Sequence, residues 1–207
     1  MKKKNTIFIL LLLFATQAVS AQNNADVLIR AFIQQIKSHK NLEMTFGYQF
    51  SPDGKNFTET ENGKAWLQGE AYRIEMVEQH NISDGKTIWT YLIDEEEVMV
   101  SNATDGTDNT PLKLFTSLDE SYAATLSGID AKGIASIELA NPKGQYKRVS
   151  LKIDTKKAEI KSADIYLEDG SRLTLNIEKM SFDQKLDDKF FTFDEKAHPN
   201  VDVIDMR

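Results

Sequence analysis

The sequence contains no cysteine among its 207 residues. This absence excludes disulfide bonds, cysteine nucleophiles and thiolate metal sites. It also excludes lipid attachment at an amino-terminal cysteine, so we expect a protein that is not itself a lipoprotein. A chain without disulfides depends on its hydrophobic core, and about 190 residues suffice for one such core. Because no linker rich in glycine, proline or serine divides the chain, we expect one domain over residues 22–207.

The residues of most catalytic and metal sites are also scarce. The three histidines, His39, His80 and His198, are far apart in the sequence. They do not have the spacing of a zinc site, and neither a Gly-x-Ser-x-Gly motif nor a phosphate-cradling loop is present. We therefore predict a protein that is not an enzyme and that uses no metal or other cofactor.

Beyond the first few residues, blocks of basic residues are missing as well. The formal net charge is −7, and after the three lysines at residues 2–4, lysines are interspersed with acids along the chain. Nucleic-acid binding depends on concentrated positive charge. We therefore expect no nucleic-acid partner.

The one long apolar run lies near the amino terminus. Three lysines at residues 2–4 precede the run Ile7–Phe14, and Val19-Ser20-Ala21 supplies the small residues that signal peptidase accepts. The run is shorter than the roughly 20 residues that a membrane-spanning helix needs. We expect a signal peptide at residues 1–21 and export of the mature chain.

The rest of the chain is dominated by apolar residues that alternate with polar ones, a pattern typical of β-strands. The segment Met44–Phe50 has a wholly apolar side, and Asp84-Gly85 is a strong hairpin signal. A return strand is predicted over residues 57–67 and a last strand over residues 201–204. In all, we predict an antiparallel sheet of about ten to eleven strands.

Two segments have helical periodicity instead. One spans Asn24 to about His39; the other begins at Thr110-Pro111, with a further helical turn over Ser121–Leu126. A sheet of this size usually closes into a sandwich or barrel, but two helices over it could leave an apolar cavity. The apolar residues of the second helix are Leu112, Leu114, Phe115 and Leu118.

Apolar side chains are abundant on what we predict to be one face of the first strands. For any one of these residues, a place in an ordinary hydrophobic core is a sufficient explanation. As a set, methionines mixed with aromatic residues fit an adaptable pocket for acyl chains, because methionine fills irregular space. The predicted cavity residues are Met44, Phe46, Tyr48, Phe50, Trp66, Tyr72, Ile74, Met76, Trp89, Tyr91 and Met99.

Four segments, in their order along the chain, resemble the LolA family of outer-membrane lipoprotein carriers. The resemblance implies an incomplete, half β-barrel whose helices form a lid over an apolar cavity. It also implies a periplasmic location, and we expect a monomer. The segments are Gly63–Leu67 with Tyr72-Arg73, Ser83–Tyr91, Asn109–Phe115, and Asp188–Phe193 with Val201–Asp205 beyond it.

The function implied by the resemblance is transport of acylated lipoproteins through the periplasm. A carrier of this family accepts them from an inner-membrane ABC-type release complex and passes them to an outer-membrane acceptor. The alternative is a regulatory protein on the same half-barrel fold that senses lipids or lipoproteins. Sensors of this fold carry an additional domain that these residues do not provide. A small outer-membrane β-barrel is disfavoured by the two predicted helices and by Met206-Arg207 in place of a terminal aromatic residue.

One segment departs from the family pattern. Well-studied carriers have Lys-Arg-Pro just after the tryptophan strand, and that arginine latches the lid by hydrogen bonds. Here the segment reads Gln68-Gly69-Glu70-Ala71, and Arg73 matches the arginine of the family's Phe-Arg pair. We therefore expect a lid held by apolar packing of Leu112, Phe115 and Leu118.

Overall fold

The computed structural model describes residues 24–104, 122–141, 146–187 and 189–207. Within these ranges the chain forms one helix, α1, over residues 24–38, followed by β-strands. The strands are β1 Leu42–Ser51, β2 Glu61–Gln68, β3 Ala71–Glu75, β4 Gln79–Ser83, β5 Thr87–Leu92, β6 Glu97–Asn102, β7 Ala123–Ile129, β8 Ile134–Ala140, β9 Arg148–Asp154, β10 Glu159–Tyr166, β11 Arg172–Phe182 and β12 Asp202–Asp205.

All strands belong to one sheet of 12 strands in the order β12-β6-β5-β4-β3-β2-β1-β11-β10-β9-β8-β7. Two antiparallel meanders, β1–β6 and β7–β11, are joined where β1 pairs with β11. The sheet is open, with β7 and β12 at its two edges. It is therefore an unclosed, mainly β fold. The alternating pattern predicts its strands, and the resemblance to the LolA family implies that the sheet is incomplete.

Helix α1 packs one apolar stripe against this sheet. Ala25, Ile29 and Phe32, spaced three and four residues apart, belong to the main hydrophobic core. Val27 lies off the stripe and is 64% exposed. The end of α1 at residue 38 agrees with the helix predicted up to about His39.

Strand register assigns each side chain to one of two faces, since residues directly opposite in paired strands point to the same side. Leu42, Leu67 and Tyr72 form one such row, on the face that packs against α1. We call this the inner face, and the opposite one the outer face. The buried core residues of the inner face are Leu42, Met44, Phe46, Ala65, Leu67, Tyr72, Ile74, Ala124, Ala135, Ile137, Leu139, Val149, Leu151, Ile153, Ile160, Ala163, Ile165, Leu173, Leu175 and Ile177.

The outer face of β2–β6 is covered by residues 189–201, which we call the carboxy-terminal segment. Its rings contact the sheet directly: Phe190 lies 5.1 Å from Trp66 and Phe193 lies 5.4 Å from Tyr91, measured between centroids. Phe191, between them in the chain, is buried. The segment gives this half of the sheet a second apolar layer.

Three features of the predicted sheet are wrong. It has 12 strands instead of ten to eleven, and its last strand, β12, pairs in parallel with β6. The strand predicted over residues 57–67 begins only at Glu61, because the carboxylate of Asp53 holds the preceding loop by accepting hydrogen bonds from the amides of Lys55 and Asn56.

The helical turn predicted over Ser121–Leu126 is also wrong. Residues 123–129 form β7, in which Ala124 pairs with Leu139 and Leu126 pairs with Ile137. Pairing with β8 overrides the local helical preference of this short apolar run. The helix predicted from Thr110, with Leu112, Leu114, Phe115 and Leu118, lies outside the described residues.

Candidate functional site

Most of the predicted cavity residues lie on the inner face. Met44 and Phe46 are almost fully buried, at 1% and 2% exposure. Met76 directly follows β3 and packs against the same core. The other inner-face residues of the predicted set are Tyr48, Phe50, Tyr72, Ile74 and Met99.

Trp66, Trp89 and Tyr91 do not share that face. Trp66 lies between Ala65 and Leu67, which both point inward, so its own side chain points outward. Trp89 pairs with Ile82, and Tyr91 pairs with His80, in rows that continue outer-face positions. The prediction that all eleven residues share one face is therefore wrong, because alternation within a strand does not reveal its phase relative to neighbouring strands.

A large part of the inner face comes from the second meander and is not among the predicted cavity residues. Val149, Leu151 and Ile153 on β9 are fully or almost fully buried. Leu173 and Leu175 on β11 lie opposite Phe50 and Tyr48 of β1. The clear alternation of these segments was the available signal. The apolar surface thus extends continuously from β3 through β1 to β7.

A cavity of about 300 Å³ lies at the carboxyl end of α1. Ile33 and Ile36 of the helix and Leu42 and Leu67 of the sheet form its apolar part. The polar residues at this cavity are Lys37, His39, Lys40, Asn41 and Glu70. It therefore joins apolar groups of the helix and inner face to a polar rim.

Burial raises the pKa of the Tyr48 phenol on the inner face, and the nearby Glu61 carboxylate raises it further. The phenol ordinarily loses its proton near pH 10. It therefore stays neutral at physiological pH, and Tyr48 adds no charge to the apolar surface.

Arg73 lies on the outer face, away from α1. Its Nε donates a hydrogen bond to Glu75 Oε1 at 2.7 Å, and its Nη1 donates to the carbonyl of Phe190 at 3.3 Å. The guanidinium carbon also lies 5.3 Å from the centroid of the Phe190 ring. Arg73 therefore fastens the carboxy-terminal segment to β3.

A second cavity, of about 610 Å³, lies between the sheet and the carboxy-terminal segment. At its wall His80 and His198, 118 positions apart in the printed sequence, both contact Tyr91, with centroid distances of 6.0 and 5.1 Å. Phe193 stacks on His198 at 5.1 Å. This cluster was not predicted, because it depends on how the chain folds back after β11.

The stability of this cluster should depend on pH through His80. Burial lowers the pKa of His80, and the nearby Arg73 and His198 side chains lower it further, against the opposing effect of Glu75. A lowered pKa favours the neutral imidazole in the folded chain. The stability that the neutral imidazole contributes to the folded chain is fully present above the pKa of an unfolded histidine, about 6.5. It is lost as the pH falls through the lower pKa that His80 has in the folded chain.

We therefore expect the free energy of unfolding in urea to fall between pH 7.5 and pH 5, and to fall less in His80→Gln. The midpoint and slope of the urea transition at both pH values measure this difference. An equal fall in the variant and in the unchanged protein would contradict the role of His80.

Within the described residues, no group of three or more histidine or acidic side chains could hold a metal ion. None of the described helices is both long enough and apolar enough to cross a membrane.

The sequence matches the family model described as outer membrane lipoprotein carrier protein LolA over residues 32–194. No curated protein matches it. Among solved structures, it is similar to an uncharacterized conserved protein from Thermus thermophilus, with 13% identity, a TM-score of 0.54, and coverage of 86% of this chain and 96% of that one.

Two further structures are similar at lower TM-scores. A DUF1329 family protein from Desulfovibrio piger has 14% identity and a TM-score of 0.49, covering 86% of this chain and 98% of its own. A LolA superfamily protein from Nitrosomonas europaea has 12% identity and a TM-score of 0.44, covering 82% and 97%. At 13% identity, the similarity to the Thermus thermophilus protein is evidence of fold alone.

Proposed function

Because this chain belongs to the LolA family of outer membrane lipoprotein carrier proteins, we propose that it is a periplasmic carrier. It binds the acyl chains of lipoproteins on its inner face and shuttles them from the inner to the outer membrane. Members of the family are carriers and not enzymes, and the proposal assigns this chain no catalytic step.

The observation that supports this proposal is the continuous apolar inner face of an open sheet. It spans β1–β3 and β7–β11, and one helix of the described residues, α1, packs against it. The cavity beside α1 has apolar walls from both helix and sheet, and its volume of about 300 Å³ is at the small end of the range for ligand pockets. Acyl chains that enter there would extend the existing core.

The strength of binding must be limited in such a carrier. Burial of acyl methylene groups contributes about 0.8 kcal/mol each, so two or three long chains offer far more than a reversible transfer allows. An inner face already packed by the chain's own helix reduces this gain, because the ligand must displace existing contacts. An inner face that is partly covered by α1 is therefore compatible with release of the bound lipoprotein.

The remaining parts of the proposal come from the family. The chain would receive lipoproteins from an inner-membrane ABC-type release complex and deliver them to an outer-membrane acceptor. Residues 1–21 would direct export, and residues 22–207 would form the single carrier domain. The proposed lid residues are Leu112, Leu114, Phe115 and Leu118, and the proposed cavity residues are those on the inner face.

The test is purification of the protein from the periplasm, followed by mass spectrometry of the material that co-purifies. We expect acylated proteins. Phe50→Asp, which places a charge on the inner face, should reduce their amount several-fold, because burying a charge among acyl chains is costly. Gln49→Asp, at the neighbouring outer-face position of β1, serves as the matched control and should leave the amount unchanged.

Three results would contradict this proposal. Free lipid without acylated protein would favour the sensor or a lipid shuttle. If no acylated material co-purified, the result would argue against both the carrier and the sensor. Equal recovery with Phe50→Asp and with the unchanged protein would show that the inner face is not the binding surface.

A further inference from the structure

The inner face changes character between β3 and β4. On β1–β3 its rows are apolar, as in Met44, Ala65 and Ile74. The same row continues across β4–β6 as Asn81, Thr90 and Met99. The inner-face positions of these three strands are Gln79, Asn81, Ser83, Ile88, Thr90, Leu92, Glu97, Met99 and Ser101.

Three of these residues form a hydrogen-bonded group, which we call the polar strip. Gln79 Nε2 donates to Asn81 Oδ1 at 2.9 Å, and Thr90 Oγ1 donates to the same oxygen at 3.2 Å. All three side chains are half-buried. Since both bonds use Oδ1, the two N–H groups of Asn81 Nδ2 are not engaged by them and can donate to a ligand.

No lysine or arginine of strands β2–β6 shares the inner face with the polar strip. In β2–β6, which the structure describes completely, the lysine and arginine residues are Lys64 and Arg73, and both point to the outer face. The charged residues at inner-face positions of these strands are Glu61 and Glu97, both acids. Phosphate groups in proteins are held by cationic donors, whereas a neutral ester or amide carbonyl needs only a neutral N–H or O–H donor.

We propose that the polar strip binds the neutral linkage region of an acylated polypeptide, that is, the ester carbonyls and the first peptide amides next to the acyl chains. This inference rests on the proposed function, and it makes lipoproteins preferred over phospholipids. Neighbouring strands are about 5 Å apart, so a ligand with its acyl chains over β1 and β2 brings its linkage region over β4 and β5.

The test compares the affinity of the purified full chain for three probes: a dipalmitoylglyceryl-cysteinyl peptide, palmitate and phosphatidylglycerol. Asn81→Leu should weaken lipopeptide binding on the order of tenfold, since it removes hydrogen bonds to the ligand. Palmitate binding should change less than about twofold, because acyl contacts remain. Asn176→Leu, at an exposed outer-face position of β11, is the matched control and should alter neither affinity.

Thr90→Val is nearly isosteric and gives the same readout with less risk to folding, which far-UV circular dichroism checks for each variant. Unchanged lipopeptide affinity in folded Asn81→Leu and Thr90→Val would overturn the inference while leaving the carrier proposal intact. An equal loss of palmitate affinity would also overturn it, as would phosphatidylglycerol binding as tight as that of the lipopeptide. If the unchanged protein bound neither lipopeptide nor palmitate, the proposed function itself would fail.

Discussion

Replacing Leu175 by alanine should lower the free energy of unfolding by about 2–5 kcal/mol. Leu175 lies on β11, where the two meanders meet, opposite Tyr48 of β1 and Ala163 of β10. Its side chain is 1% exposed, so truncation leaves a void that the surrounding strands cannot fill. The loss combines the transfer free energy of the two methyl groups and the methine group that are removed with the cost of that void.

Asn176→Ala is the matched control, because Asn176 is the next residue of the same strand and points to the exposed outer face. Its effect should lie within about 0.5 kcal/mol, as for surface substitutions in general. Urea unfolding followed by far-UV circular dichroism measures both variants. Similar losses for the two would mean that the inner face is not the main core of the fold.

The local elements of this fold could be predicted because short-range sequence signals determine them. The hairpin at Asp84-Gly85 forms as expected, with Gly85 at a φ of 89° and the amide of Asp84 donating to the carbonyl of Thr87. The alternating segment Met44–Phe50 lies within β1, as expected. In both cases, turn chemistry and alternation within a few residues suffice.

The arrangement of those elements could not be predicted in the same way. Trp66 lies between the apolar residues Ala65 and Leu67, so the sequence does not show which of the three point to the inner face. Trp66 points to the outer face. That face is also apolar there, because Phe190 and Phe193 return from the far end of the chain to cover it. When both faces of a sheet are covered by apolar residues, an alternating pattern in the sequence does not show which residues of a strand point to which face. The phase of each strand is set by long-range pairing instead.

The second large effect concerns the carboxy-terminal segment. Phe191 is 7% exposed although it lies in a segment without regular secondary structure. Phe191→Ala should therefore lower the free energy of unfolding by about 3–5 kcal/mol, the range for a buried phenylalanine. Phe57→Ala is the matched control, because it removes the same aromatic ring from a more exposed position. Phe57 is 37% exposed, and the guanidinium carbon of Arg172 lies 5.0 Å from the centroid of its ring. We expect a loss below about 1 kcal/mol there.

Tryptophan fluorescence separates detachment of this segment from unfolding of the whole sheet. The chain has two tryptophans, Trp66 and Trp89, and both lie on the outer face that the segment covers. In Phe191→Ala the emission should shift to longer wavelength at lower urea than the loss of circular dichroism, because Trp66 loses the Phe190 ring while the inner core persists. Coincident transitions would show that the segment and the sheet unfold together. Since Arg73 ties the segment to β3 on the face opposite α1, such coincidence would mean that the two apolar layers form one cooperative unit.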